Sequence, residues 1–400
     1  MTGDGALMIA PGATRRDTSG DSADLVWPDD GRRVRLGRAA LALMSQFAVP
    51  ATVEAVTQRL ERATPGSAEA VRRAIGSLVD AGVLCEYGLR SPSSPATAPG
   101  LFDAPVVSVA EAVNSGADFV VIGAPYDHGA TYRPGSRFAP ASLRRASPTV
   151  FRLASDRAGM YDAELDARLL AGVGIADIGD LAGTPGALGQ DILDGVQDVV
   201  ALVAGNAQVP VVLGGDHSIT LRVIDGLAEQ HERIGVLHFD AHHDYGQVRE
   251  GERINVHHGN FLDWVVGNPA VECVAQFGIR QLTPNPPESS PKLRRWPGLS
   301  VAGADIDDIV RQLPGGLVWH LTFDVDVLDP SVMPSTGTIL PGGYTYRQAV
   351  ATLTALCRSL PVVAIDVVEY LPDASEAPAI TVAGLLARIM HHVAAARGQR

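Results

Sequence analysis

Two patterns of hydrophobic positions divide the chain. Between residues 31 and 88, apolar side chains recur three or four positions apart, as they do on one face of a helix. The three faces are Ala40, Leu43, Met44 and Phe47; Val53, Val56 and Leu60; and Val71, Ile75, Leu78 and Val79. The third helix is predicted from about Ser67 to Gly82, and a strand-like segment follows at 83–87. This order predicts a small winged-helix-like domain at 31–88.

A different pattern begins near residue 105, where continuous apolar runs alternate with helical stretches. The runs span 119–125, 209–214, 234–239, 273–279, 317–323 and 362–368. Because they are continuous rather than alternating in polarity, they predict strands that are buried on both faces. An α/β class with a parallel sheet covered by helices is therefore expected over residues 105–400.

Two segments show neither the helical spacing of apolar residues nor the continuous apolar runs. Residues 1–30 are rich in Gly, Asp, Ser and Thr, which predicts a flexible arm or a loosely tied strand. Residues 89–104 are rich in Pro, Ser and Ala, which predicts a linker between the two patterned regions.

Charge and cysteine content exclude several classes of protein. The formal net charge is −13; residues 1–90 carry 11 acidic and 11 basic side chains, and the remainder carries 34 and 21. This acidity argues against nucleic acid or an anionic membrane as the partner. The three cysteines lie far apart without a CxxC pair, so neither a disulfide framework nor a thiolate zinc site is expected. With no secretory signal and no long uninterrupted apolar stretch, we predict a soluble, cytoplasmic protein.

Four of the apolar runs end in clusters of potential metal ligands. The clusters are Gly-Gly-Asp-His-Ser at 214–218, His-Phe-Asp-Ala-His-His-Asp at 238–244, Phe-Asp-Val-Asp-Val-Leu-Asp-Pro at 323–330 and Asp-Val-Val-Glu at 366–369. A single such motif is often only a helix cap or a turn. Together they are more informative, because the carboxyl ends of parallel strands lie along one edge of a sheet. Imidazoles and carboxylates without thiolates favour a divalent ion such as manganese.

These clusters resemble the three signatures of the ureohydrolases, the family of arginases, agmatinases, guanidinobutyrases and formimidoylglutamases. Segments 123–140, 278–280, 336–338 and 341–343 also match, in family order, so that the resemblance spans about residues 105–395. It implies a three-layer α/β/α arginase-like fold with a parallel sheet. It also implies a homo-oligomer, trimer or hexamer, that hydrolyses a guanidino group to urea and a primary amine with two Mn²⁺.

The resemblance assigns the metal ligands residue by residue. One manganese would be held by His217, Asp240, Asp244 and Asp324, and the second by Asp240, His242, Asp324 and Asp326. Asp240 and Asp324 would bridge the two ions. Four carboxylates offset the charge of two dications, and the remaining electrophilicity would lower the pKa of the water that attacks the guanidinium carbon.

Three catalytic roles follow from the same resemblance. Asp244 would relay a proton to the leaving amine, His258 would shuttle protons near the mouth of the site, and Glu369 would bind the substrate guanidinium by a paired contact. His257 is the competing candidate if the register slips by one residue, although the following glycine favours His258. His243 is expected to point away from the metals.

The substrate is open between two enzyme hypotheses. Gln281, Leu282 and Thr283 offer no acidic partner for the α-ammonium of free arginine, so a strict arginase is not expected. We predict a small guanidino substrate, either agmatine-like or a guanidino acid. The alternative is a peptide arginase that converts Arg to ornithine in a leader-bearing ribosomal peptide, because the 31–88 pattern resembles PqqD-like peptide-binding modules.

A third hypothesis belongs to another class, a non-catalytic winged-helix regulator. Residues 31–88 hold 8 Arg and 5 acidic side chains, too small an excess to favour binding of DNA over a peptide. The complete set of metal ligands also favours the enzyme. An oligomerisation or packing appendage is the simplest interpretation of the N-terminal module.

Overall fold

The computed structural model describes most of the chain as two compact units. The described residues are 6–9, 14–17, 22–26, 33–47, 51–86, 99–153, 157–183, 189–246, 255–298 and 305–398. One unit comprises Met1–Thr97 with Leu181–Gly195, and the other comprises Ala98–Asp180 with Val196–Arg400. The division after Thr97 falls inside the segment 89–104 that the sequence predicts as a linker; residues 89–98 themselves lie outside the described residues.

Within residues 6–86, the described part of the smaller unit forms three helices and two small antiparallel sheets. Its elements are β1 (Ala6–Ile9), β2 (Thr14–Asp17), β3 (Ser22–Val26), β4 (Arg33–Gly37), α1 (Arg38–Ser45), β5 (Ala51–Thr52), α2 (Val53–Ala63), α3 (Ala68–Asp80) and β6 (Leu84–Glu86). The sheets have the orders β5-β1-β6 and β2-β3-β4. The Thr52 side chain accepts the N–H of Ala55 and caps the start of α2. The helices share a buried core with Phe47, Val56 and Ile75.

Strands β1, β2 and β3 fall within residues 1–30, where the sequence predicts a flexible arm or a loosely tied strand. In the structure β1 pairs with β5 and β6, and β3 pairs with β2 and β4. These strands have only four or five residues each, so they give too short a run for an apolar period to show. The winged-helix-like assignment of 31–88 stays a prediction.

The larger unit is built on one sheet of eight parallel strands. The elements before and between the central strands are α4 (Val109–Asn114), β7 (Phe119–Gly123), α5 (Ala139–Ala146), the hairpin β8 (Met160–Asp162) and β9 (Ala167–Leu169), β10 (Ile175–Asp180), α6 (Gln190–Gly205), β11 (Val209–Leu213), α7 (Ile219–Ala228) and β12 (Ile234–Phe239). They are followed by α8 (Leu262–Gly267), β13 (Val271–Phe277), β14 (Leu293–Trp296), α9 (Ile306–Gln312), β15 (Val318–Asp324), α10 (Tyr346–Ser359), β16 (Val362–Val368) and α11 (Ala377–Gly398). The strand order is β10-β7-β11-β16-β15-β12-β13-β14.

Continuous apolar runs produce this sheet because both of its faces are covered. Every residue of β7, β11 and β12 is buried. Successive residues of a strand point to opposite faces, so full burial requires packing against both. The prediction of a parallel sheet in an α/β fold is confirmed.

The four strands that precede the ligand clusters are neighbours. In the sheet β11 lies beside β16, β16 beside β15, and β15 beside β12, all parallel. Their carboxyl ends therefore reach one edge together, and the residues that follow them can meet across only a few ångströms. This topology brings together residues that lie far apart in sequence, such as His217 and Glu369, which are 152 positions apart.

One helix of the larger unit is long and apolar enough to cross a membrane. This is α11, Ala377–Gly398, and 61% of its most apolar 18-residue window is buried. It packs against α5 and α10 in the main core. A central helix of a protein core satisfies the same length and composition, so this feature is weak evidence for a membrane span.

Candidate metal centre and active site

The turn after β11 is shaped by a close approach of two backbones. A Cβ on Gly215 would lie 1.5 Å from the carbonyl oxygen of Tyr126, so only glycine fits there. This places His217 beneath the carboxyl ends of β12 and β15, with its ring fully buried. The local Gly-Gly sequence thus serves to position an imidazole.

A first group of ligand atoms surrounds the His217 ring. Its Nδ1 lies 3.1 Å from Oδ2 of Asp240, 3.4 Å from Oδ2 of Asp244 and 3.3 Å from Oδ2 of Asp324. An octahedral ion with ligand bonds of about 2.1 Å separates adjacent ligand atoms by about 3 Å. Three carboxylate oxygens thus lie around one imidazole nitrogen at a spacing that suits ligands of one ion. His217, Asp240 and Asp244 also form, with His238, a group whose ligand atoms all lie within 4.8 Å of one another.

A second group lies on the other side of Asp240. His242 Nδ1 is 3.3 Å from Oδ1 of Asp240 and 2.9 Å from Oδ2 of Asp326. Asp240 thus presents one oxygen to each group, which is the arrangement of a bridging carboxylate. For Asp324, Oδ2 faces His217 while Oδ1 accepts the backbone N–H of Asp326 at 2.8 Å. Its bridging role stays a prediction.

Unpartnered buried atoms support binding of metal ions by these residues. His217 Nδ1 and Asp240 Oδ2 are both buried, and neither makes a hydrogen bond. Buried polar atoms are normally paired, so atoms left open and facing one another call for an unseen partner. The donor set of imidazole nitrogen and carboxylate oxygen suits manganese. The residues present fit the two-ion centre that the sequence predicts.

The electrostatics of the cluster also favour added positive charge. Burial, and then the charge of Asp240, raise the pKa of Asp244 to about 7. Burial and neighbouring carboxylates likewise raise the pKa of Asp324 and Asp326. Asp240 differs, because although burial opposes its ionisation, the surrounding imidazoles hold its pKa well below the usual range. Dications between these carboxylates would offset the burial and the mutual repulsion that raise these pKa values.

His238 is a site residue that the sequence analysis did not assign. Its Nε2 lies 3.1 Å from Oδ2 of Asp240, is buried and makes no hydrogen bond, and its ring stacks on that of His217 at 5.0 Å. The sequence carries a signal for it, because His238 lies near the end of β12, two positions before Asp240, and residues two apart along an extended chain point to the same side. His243, in contrast, belongs to neither ligand group.

A buried polar network fixes the orientation of His217. Its Nε2 lies 2.9 Å from the Thr322 hydroxyl, which contacts the Thr220 hydroxyl at 3.2 Å. Thr220 in turn donates to Asp366 at 3.0 Å, and His320 Nε2 meets the same carboxylate oxygen at 2.8 Å. A metal-binding imidazole is commonly held by such a partner on its other nitrogen. The network leaves Nδ1 of His217 facing the carboxylates.

His258 and Glu369 are brought together at the mouth of the site. Nδ1 of His258 is 3.0 Å from Oε1 of Glu369. Its Nε2 receives the backbone N–H of Thr131 at 3.1 Å and lies 2.8 Å from the Thr131 hydroxyl. An amide N–H can only donate, so Nε2 is the accepting nitrogen and Nδ1 carries the proton that faces Glu369. Although burial opposes it, Glu369 raises the pKa of His258.

Two backbone anchors hold Thr131 against His258. The N–H of Gly129 donates to Oδ2 of Asp216 at 2.7 Å, and the N–H of His258 donates to the carbonyl of Gly129 at 3.1 Å. A Cβ on Gly129 would lie 2.6 Å from the hydroxyl of Ser218, so the loop approaches the β11 turn too closely for any larger residue. The sequence offered no signal for this contact, since Thr131 and His258 are 127 positions apart.

Two of the site residues have an uncommon backbone conformation. Asp244 has φ of 47° and Glu369 has φ of 62°, both in the left-handed region that non-glycine residues rarely occupy. Such strain persists where the surrounding structure imposes it, and it clusters at functional sites. In each case it turns a carboxylate toward the cavity.

A cavity of about 230 Å³ opens onto the two ligand groups. It is lined by Thr131, Tyr132, His217, His242, Asp244, His257, His258, Gly259, Gln281, Asp324, Asp326, Thr338 and Glu369. Every residue proposed from the sequence except the buried Asp240 lines this cavity. His257 also reaches it, so the structure places both candidate histidines at the mouth, but only His258 contacts Glu369.

Fold and site together define a hydrolase built on a parallel α/β core with an imidazole–carboxylate centre at its carboxyl edge. Residues 117–395 match the model of the arginase family. The chain belongs to the arginase family and is a hydrolase of linear amidines.

Individual relatives support this assignment. The chain is 34% identical over 271 residues to proclavaminate amidinohydrolase of Streptomyces clavuligerus, covering 64% of this chain and 81% of that protein. It is 34% identical over 293 residues to the mitochondrial agmatinase of Gallus gallus, covering 68% and 79%. The structure of the Streptomyces clavuligerus enzyme superposes with a TM-score of 0.63 at 29% identity, covering 76% of this chain and 100% of that one.

Proposed function

We propose that the chain hydrolyses the guanidino group of a small substrate, agmatine-like or a guanidino acid, to urea and a primary amine, with two Mn²⁺ as cofactors. The observation that carries this is the pair of ligand groups that share Asp240, together with the unpartnered Nδ1 of His217 and Oδ2 of Asp240, which face one another at 3.1 Å in the first group. Relatives are named for agmatine and for guanidino acids, among them the human mitochondrial guanidino acid hydrolase at 32% identity over 286 residues.

Six side chains would hold the two ions. His217, Asp240, Asp244 and Asp324 would ligate the more buried one, and Asp240, His242, Asp324 and Asp326 the other. When bound, the ions would supply an activated water at neutral pH by lowering its pKa.

Glu369 is suited to hold the substrate guanidinium. Its Oε1 is occupied, since it accepts the backbone N–H of His217 at 2.9 Å and faces His258 at 3.0 Å. Among the described residues nothing hydrogen-bonds its Oε2, and Glu369 is one of the residues that line the cavity. A guanidinium N–H can therefore reach Oε2, and charge pairing would hold the planar group over the ligand cluster.

Asp244 and His258 would handle the proton. Asp244 lies at the edge of the first ligand group and lines the cavity, so it is placed to accept a proton from the attacking water. His258 lies at the mouth with its Nδ1–H directed at Glu369, so it can pass a proton between the site and solvent. The leaving amine would receive its proton by this route.

The other two hypotheses from the sequence are not favoured. The relatives carry the names of enzymes that act on small guanidino compounds, not of peptide-modifying enzymes or regulators. Cytoplasmic location and a homo-oligomeric state, trimer or hexamer, stay predictions. So does any binding of a peptide or a subunit by the N-terminal module.

A urea-release assay with Mn²⁺ tests the proposal. The panel contains agmatine, 4-guanidinobutyrate, free arginine and an arginine-containing peptide. We expect release from agmatine or 4-guanidinobutyrate and little from arginine. Release from the peptide alone would overturn the choice of a small substrate, and release from none of the four would overturn the proposed chemistry. The Asp240→Ala variant serves as the inactive control. Asp308→Asn, which changes an exposed carboxylate on α9, is the matched control that should remain active.

A further inference from the structure

A second cavity lies at the opposite end of the strands from the metal centre. It measures about 610 Å³ and is lined by residues of α9, α10 and α11. Its wall includes Ser359, the last residue of α10, shortly before β16 begins at Val362. The metal ligands and Glu369 follow the other ends of the strands, so this cavity belongs to neither the ligand groups nor the substrate pocket.

Hydrogen-bond donors dominate the wall of this cavity. Nδ1 of His391 accepts the backbone N–H of Leu170 at 3.2 Å, so the proton of the neutral ring must sit on Nε2. Nε2 of His392 is buried and has no hydrogen-bond partner. Arg358 reaches the cavity with a guanidinium that pairs with no carboxylate in the described ranges. Arg358 and the Nε2–H of His391 therefore offer donors to this cavity, whereas Nε2 of His392 lies buried behind its wall.

Basic side chains lie around His392. Burial, followed by the charges of His391, Arg358 and Arg388, lowers the pKa of His392 to about 4. This ring is therefore neutral at pH 7 and is surrounded by groups that repel a further cation. Arg388 is neutralised by Asp162 at 2.7 Å. Asp307 is the one carboxylate among the described residues of the lining.

We propose that this cavity binds a small molecule through an anionic group, a carboxylate or a phosphate, that pairs with Arg358 and accepts a hydrogen bond from Nε2 of His391. A guanidinium fork matches the geometry of both anions. The cavity volume lies within the range of about 300–1,000 Å³ that small-molecule sites occupy. Asp307, on the opposing helix, would accept a hydrogen bond from a hydroxyl or ammonium group elsewhere on the same molecule.

The test is a calorimetric titration of the manganese-loaded full chain with two probes, inorganic phosphate and glutarate, at constant ionic strength. Arg358→Gln removes the pairing cation from an exposed position at the end of a helix. Arg62→Gln is the matched control, because Arg62 is also exposed in the last turn of its helix, α2. We expect Arg358→Gln to weaken binding about tenfold or more and Arg62→Gln to leave it unchanged.

Hydrogen exchange locates the bound probe. Backbone amides of 355–360 and 391–396 should gain protection in the wild-type chain when the probe is present. Binding of phosphate alone assigns the ligand group as a phosphate, and binding of glutarate alone assigns it as a carboxylate. The proposal is overturned if neither probe binds more tightly than about 10 mM. It is also overturned if Arg358→Gln binds the probe as well as the wild type does, because the site would then lie elsewhere.

Discussion

Two buried polar clusters on the same sheet differ in whether their polar atoms have hydrogen-bond or ion-pair partners within the protein. On one side Arg144 donates to both carboxylate oxygens of Asp177, at 2.8 and 2.9 Å, and also pairs with Asp180. Asp177 further accepts the backbone N–H groups of Leu101 and Gly179. Every strong donor and acceptor there has a partner inside the protein. This cluster is complete as it stands.

The cluster at the carboxyl edge is not complete. His217 Nδ1, His238 Nε2 and Asp240 Oδ2 are buried and make no hydrogen bond, and burial together with neighbouring carboxylates raises the pKa of Asp324 and Asp326. Buried charge is therefore not in itself the mark of a functional site in this protein. The mark is buried ligand atoms that remain open toward a shared centre. Four substitutions separate the two kinds of cluster.

The largest effect is expected for Asp240→Ala at the incomplete cluster. Asp240 contributes an oxygen to each ligand group, so its loss should abolish binding of both ions. Urea release should fall more than about 100-fold, beyond the range reported for residues that only support a ligand. Metal content by plasma emission spectrometry and urea release check this. Two ions per chain in the variant would contradict the bridging arrangement.

Arg144→Met at the complete cluster should instead destabilise the fold. It leaves the buried Asp177 without its counter-charge, which costs about 3–5 kcal/mol in the free energy of unfolding. Chemical denaturation measures this, and metal content should be unchanged wherever the variant is folded. The adjacent Arg145→Met is the control, because Arg145 is exposed and only loosely paired with Glu376 at 3.7 Å, so its loss should cost less than about 1 kcal/mol.

Thr322→Val tests the support of a ligand rather than the ligand itself. It removes the hydroxyl at Nε2 of His217 while nearly preserving shape, so the ring loses its fixed orientation. Manganese affinity should fall about 10–100-fold. Competition with a fluorescent chelator measures that affinity. Thr322→Ser keeps the hydroxyl, so its manganese affinity should match that of the wild type. An equal loss of affinity in both variants would indicate a packing effect instead.

Thr131→Val should have the smallest effect. The hydroxyl contact to Nε2 of His258 disappears, but the backbone N–H remains as a donor. Loss of one such bond costs about 0.5–1.5 kcal/mol, so kcat should fall about 3–10-fold with KM nearly unchanged. Steady-state kinetics on the preferred substrate check this, and Thr131→Ser should recover the rate. A change confined to KM would place Thr131 in substrate binding.

Much of the incomplete cluster was predictable because its residues follow apolar runs directly. His217 and Asp240 stand at or just after the ends of β11 and β12, and strands of a parallel sheet end at one edge. Their motifs also resemble those of a known family. The parallel sheet follows from the same continuous runs.

Other parts of the molecule depend on contacts that sequence spacing does not contain. The hydrogen bond between Thr131 and His258 joins two loops that are distant in sequence. The hydrogen bond from the N–H of His217 to Oε1 of Glu369 likewise depends on how two turns pack against each other. His238 was overlooked although it lies two positions before Asp240, on the same side of the extended chain. Strands as short as β1, with four residues, are too short to show an alternation of apolar and polar positions from which they could be predicted.

Anomalous diffraction at the manganese edge, on crystals grown with Mn²⁺, tests the central claim most directly. Two peaks are predicted in each chain, one beside Nδ1 of His217 and the other beside Nδ1 of His242, with an Asp240 oxygen contacting each. No peak at this edge of the sheet, or a single peak that leaves His242 uncoordinated, would contradict the account.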